Sequence, residues 1–101
     1  METETLDLSR PDRVFFNATV RLGGEEVVLS VTEPRKALAD LLDAREGDRY
    51  ALAAAVLSCN AQGVEVTPEQ AEGALTEEGC VRVLRAYDRK RAEGIEQALK
   101  A

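Results

Sequence analysis

Histidine and tryptophan are absent from this sequence of 101 residues, so no His-containing triad, dyad or zinc site can be assembled from it. Aromatic residues are scarce, two Tyr and two Phe, and paired carboxylates of the glycosidase kind would lack an aromatic platform. Cysteine is limited to Cys59 and Cys80, neither in a CxxC pair, which leaves a metal site short of ligands. Two thiols in a chain with no recognisable leader are expected to be buried and reduced, not bridged. The first dozen residues are acidic and polar, and no run approaches the roughly 18 apolar residues that span a bilayer, so no membrane partner is expected and the chain is placed in the cytoplasm. Basic residues are in the minority, 13 Lys+Arg against 19 Asp+Glu. The net charge of -6 disfavours a general nucleic-acid binder. Ser9, Ser30, Ser58, Cys59 and Cys80 are available nucleophiles, but with no His and only three lysines nothing obvious activates them. The expectation is therefore a non-enzyme, with no catalytic, cofactor-binding or metal-binding residue to nominate.

What the sequence does contain is a core. Apolar residues make up 45% of a length suited to one domain, in ordinary proportion for a globular chain. Val14, Phe16, Ala18, Val20 and Leu22 alternate with Arg13, Phe15, Asn17, Thr19 and Arg21 at the strand period of two, and Gly23-Gly24 then turns the chain. A two-residue turn there places Val20 opposite Val27, Ala18 opposite Leu29 and Phe16 opposite Val31. Arg21 then meets Glu26 and Asn17 meets Ser30 on the other face. A one-residue slip would destroy both patterns, which makes the register a definite expectation. Asn17-Ala18-Thr19 matches a glycosylation pattern but falls inside this strand and reads as chance. Leu6 and Leu8 alternate with polar residues and could form a third strand, but Pro11 interrupts it, so residues 1–12 are expected to be a flexible tail before a single domain over 13–101.

From Thr32 the apolar period lengthens to that of a helix. Pro34 stands in the first turn, Leu38, Leu41, Leu42 and Arg45 share a face, and an end is expected near Gly47. Asp48 caps a second helix whose stripe is Leu52, Ala53, Val56, Leu57 and Asn60, with alanines on its other sides. Thr67-Pro68-Glu69-Gln70 opens a short helix to about Gly73. Thr76 opens a long final helix whose stripe runs through Cys80, Val83, Leu84, Tyr87, Ile95, Ala98 and Leu99 and is interrupted at Arg91. A two-stranded hairpin is marginal alone in water, so these elements predict an α+β fold, an antiparallel hairpin packed on a bundle of about four helices. The open hairpin edges predict self-association into a homo-oligomer.

Two charged clusters stand out. Glu65, Glu69, Glu72, Glu77 and Glu78 fall in a stretch without Lys or Arg and read as a solvated corner favoured by helix N-termini. Arg82, Arg85 and Arg89 form a basic stripe that could meet phosphate, but the negative net charge and the lack of nucleic-acid-binding motifs favour a solvated face. Gly23-Gly24 lies in a hairpin turn and not between a strand and a helix, so it is no phosphate cradle.

The order of parts is suggestive in itself: the Gly23-Gly24 hairpin, the Pro34-led Leu-rich helix, the apolar helix Ala51 to Cys59, the loop Asn60 to Val66, the Thr67-Pro68-Glu69-Gln70 helix start and a closing amphipathic helix. In layout, over roughly Val20 to Leu99, it resembles the small tail assembly chaperones of long-tailed bacteriophages. The resemblance implies a non-enzymatic, self-associating protein of the bacterial or phage-infected host cytoplasm. Such a protein coats a helical or partly disordered polypeptide, the tape-measure protein, until tail-tube subunits polymerise around it. The groove residues expected to do this are Leu38, Leu41 and Leu42 with Val83, Tyr87 and the rim residue Arg91. The alternative is a small dimeric regulator or inhibitor that acts by protein–protein contact.

Overall fold

A computed structural model describes residues 13–44 and 47–100, together with Thr3. The proposed strand around Leu6 and Leu8, the tail assignment and the place of Arg45 lie outside the described residues. Strand β1 (Val14–Leu22) and strand β2 (Glu25–Thr32) form a two-stranded antiparallel sheet. Gly23 and Gly24 both take positive φ (58° and 84°), as a turn that matches the strand twist requires. The register pairs Val20 with Val27, Ala18 with Leu29, Phe16 with Val31, Asn17 with Ser30 and Arg21 with Glu26, as the alternation predicted.

The alternation fails at the strand's beginning. Val14 pairs with Thr32, so Phe15 is an extra residue bulged out of the ladder between Val14 and Phe16. The bulge reverses the expected assignment of this pair: Phe15 is buried and Val14 is half exposed, at 48%. Phe15 stacks obliquely on Tyr87, ring centroids 6.1 Å apart, and burial of two rings outweighs the ladder bond given up.

Four helices complete the α+β layout: α1 (Lys36–Ala44), α2 (Arg49–Ser58), α3 (Pro68–Ala74) and α4 (Glu77–Lys100). Helix α1 begins two residues after Pro34, not at it. The Glu33 amide donates to the Arg13 carbonyl at 3.1 Å and so prolongs the sheet past the point where the helical pattern starts. Helix α2 opens with the Asp48 carboxylate accepting from the Tyr50 amide at 2.8 Å. It is buried on several sides, through Leu52, Ala53, Ala54, Val56 and Leu57, and its alanines admit close neighbours. Helix α3 has both halves of a capping box: the Gln70 amide donates to Thr67 Oγ1 at 3.2 Å and the Thr67 amide to Gln70 Oε1 at 2.9 Å. At the start of α4 the Gly79 amide donates to Thr76 Oγ1 at 3.0 Å. Packed on both α3 and α4, α2 is the centre of the core, and the hairpin closes it with Val20, Leu29 and Val31.

Asn60 is not the last member of the α2 stripe, because the helix ends at Ser58. Its side-chain amide instead donates to the Leu57 and Val64 carbonyls, both at 2.7 Å, while its Oδ1 accepts from the Val64 amide at 2.9 Å. That clamp turns the chain so that residues 59–61 run beside β2. The Thr32 amide donates to the Cys59 carbonyl at 2.8 Å and the Ala61 amide to the Ser30 carbonyl at 3.0 Å, around a bridge between Val31 and Asn60.

Candidate functional site

The six residues expected to form one apolar groove are divided among four places. Leu42 and Tyr87 are fully buried core residues and present no surface to a partner, which corrects their assignment as groove residues. The physical reason is that Leu42 is the leucine on the inner face of α1 and that the bulged Phe15 ring covers Tyr87. Leu38 packs against the same core, whereas Leu41, one residue off that face, is 43% exposed. Val83 borders a groove between β1 and α4. Arg91 reaches across to Asp43 on α1 in a hydrogen-bonded ion pair that favours the charged guanidinium, and it lines a second groove at the far end of α4.

This second groove, about 420 Å³, has apolar walls from Phe15, Pro34, Ile95 and Ala98. It follows from the length of α4. Twenty-four residues make a helix about 36 Å long, longer than the core it covers. The apolar stripe continues past the point where cover stops: Leu84 and Tyr87 are buried, Ile95 is 50% exposed and Leu99 is 82% exposed. Arg13 lies over the Phe15 ring, 5.6 Å from its centroid, and fills the space above Gly94, where a methyl group would come within 2.6 Å of the guanidinium. The first residues of the sheet are thereby packed onto the distal half of α4.

The first groove, about 580 Å³, is bordered by five consecutive residues of β1, Phe16 to Val20, and by Val83, Ala86 and three arginines of α4. Side chains alternate between faces along a strand, so five in succession can border one groove only if it runs along the strand's edge. Ser30 settles which peptide groups face out. Its amide donates to Gln62 Oε1 at 2.9 Å and its carbonyl accepts from Ala61, both on the side away from β1. Asn17↔Ser30 is therefore a pair without mutual backbone bonds, and by alternation so are Thr19↔Val28 and Arg21↔Glu26. The Asn17, Thr19 and Arg21 peptide groups on β1 point outward. Residues 59–62 cover the end of the β2 edge, and among the described residues nothing pairs with the backbone of the β1 edge at Asn17 and Thr19.

Arg82, Arg85 and Arg89 stand exposed along that groove, and among the described residues none has a carboxylate within ion-pair distance. The importance of Asn17 and Thr19 was missed in the sequence although the signal was present. A two-residue turn makes Leu22↔Glu25 a bonded pair, and counting back by twos gives the outward residues. The acidic residues Glu65, Glu69, Glu72, Glu77 and Glu78 are all exposed. Cys59 and Cys80 are both thiols, and burial in the core pushes that of Cys80 up from its ordinary range. Among the described residues no helix is long and apolar enough to cross a membrane. No family model, curated protein or solved structure matches the chain.

Proposed function

We propose that this protein is a non-enzymatic polypeptide binder of the phage tail assembly chaperone kind, which holds a helical or partly disordered chain such as a tape-measure protein in solution. The observation that carries this reading is the apolar stripe of α4 beyond the core, with Ile95 and Leu99 exposed beside the groove lined by Phe15, Pro34 and Ala98. An amphipathic helix presents anchors at i, i+3, i+4 and i+7, and a helix-lined apolar groove is the surface that buries them. Each aliphatic anchor buried there contributes roughly 1.5–3 kcal/mol before the cost of association, which suits an escort that must later let go.

Co-expression with a tape-measure polypeptide tests the proposal. The wild-type chain keeps that polypeptide in the soluble fraction, and the complex persists from low to high salt because its contacts are apolar. The double variant Ile95→Asp, Leu99→Asp stays folded, since both residues lie outside the core, but loses the partner to the pellet. A tape-measure polypeptide that is equally insoluble with and without the wild-type chain would end this reading.

A further inference from the structure

The groove along β1 has three features that one kind of ligand would use together. Its floor is apolar, with Phe16, Val20 and Val83; one side is a strand edge at Asn17 and Thr19 that has no backbone partner among the described residues; the other carries Arg82, Arg85 and Arg89. We infer that an extended acidic segment of another polypeptide docks here as a third strand, pairing its backbone with β1 and its carboxylates with the three arginines of α4.

The dimensions agree. From Arg82 to Arg89 the helix advances about 10 Å, and acidic residues two apart on a strand repeat about every 6.7 Å, so three carboxylates fall within reach of three long side chains. The methylene stems of the carboxylate side chains then lie over the apolar floor, on the face where α4 packs, and alternation turns the intervening side chains to the opposite face, beside Asn17 and Thr19. Main-chain bonds to an exposed edge give affinity to any extended peptide, while charge sets the choice among them. On a molecule of net charge -6, three adjacent cations without acidic partners among the described residues are a local reversal of sign, and that reversal selects a negative ligand. The site is separate from the distal end of α4 and does not depend on what binds there.

Fluorescence anisotropy with a labelled nonapeptide of alternating Val and Glu, titrated with the full chain, tests the inference. Wild-type protein binds this peptide and binds the corresponding Val–Lys peptide at least tenfold more weakly. Replacing all three arginines, Arg82→Gln, Arg85→Gln and Arg89→Gln, weakens binding roughly tenfold or more. Thr19→Pro removes an outward amide that no described residue bonds, a substitution edge strands tolerate, and it weakens binding to a similar degree. Circular dichroism establishes that this variant is folded. Should it unfold, a probe with N-methyl groups on alternate amides makes the same measurement on wild-type protein and is expected to lose binding. The pair Ile95→Asp, Leu99→Asp leaves anisotropy unchanged, so this result stands or falls separately from the escort function. Full affinity for the N-methylated probe, or single-stranded DNA bound as tightly as the acidic peptide, would overturn strand addition, the second in favour of a phosphate site.

Discussion

Two small polar side chains hold the turn that follows α2. Ser58 Oγ accepts from the Val66 amide at 3.0 Å and lies within donating distance of the Ala54 and Val66 carbonyls, while Asn60 serves three backbone groups within one loop. A part-buried peptide group left unpaired costs about 1–3 kcal/mol, more than a made bond contributes. Asn60→Ala orphans the Leu57 and Val64 carbonyls and the Val64 amide together, and is expected to lower stability by roughly 2–3 kcal/mol in urea unfolding. A loss under about 0.5 kcal/mol would show that water replaces the amide without difficulty. In the sequence, Asn60 continues the helical spacing of α2, which predicts a place in its stripe. Periodicity reports which face a residue occupies if the helix goes on, and says nothing of where the helix stops. Phe15 escaped the pattern for a related reason. A bulge is one residue of tertiary accommodation, driven by a ring on α4 far away in sequence, and no alternation within β1 encodes it.

Among the elements, those with local signals were legible. The Gly23-Gly24 turn, the Asp48 cap and the Thr67–Gln70 capping box each satisfy backbone groups a few residues away, and each stands where its chemistry placed it. What sequence could not supply was which part of the α4 stripe faces protein and which faces solvent. Cys80, Leu84 and Tyr87 share the stripe with Ile95 and Leu99, and the division between them depends on where the partners of α4 end. The candidate groove residues suffered from this most, because large apolar side chains serve a core and a binding surface equally well. Burial of Cys80 on the inner face makes α4 sensitive to alkali. Its thiol holds its proton more tightly in the native state than in the unfolded chain. Stability is therefore complete below the ordinary thiol range, about 8.5, and declines as pH rises through the raised native value. Cys80→Ala is expected to flatten this decline in urea midpoints measured across mildly alkaline pH. The Tyr50 phenol is raised as well, first by desolvation, then by the charge of the Cys80 thiolate and of nearby acidic groups, so the two titrations are linked. Identical alkaline limbs in the two proteins would show that Cys80 does not set the decline.

For the whole molecule, the exposed apolar residues Val28, Leu41, Ile95 and Leu99 predict association between copies. Light scattering at tens of micromolar, an order-of-magnitude choice for weak interfaces, is expected to give a mass above the 11.0 kDa of one chain, and Leu99→Glu to lower it. A wild-type mass of one chain would assign these surfaces to a different partner. The pairing of Phe15 with Tyr87 has a consequence in time. Tyr87 follows Phe15 by 72 positions, and at about 5–20 residues per second a ribosome needs roughly 4–14 s to make that stretch. Once Thr32 has been added, the nascent hairpin has its Gly-Gly turn and both strands but still lacks the ring that covers its first residues. Folding near the bulge waits for α4, and the growing chain passes through a stage in which it needs the same protection from aggregation that we propose it gives to others.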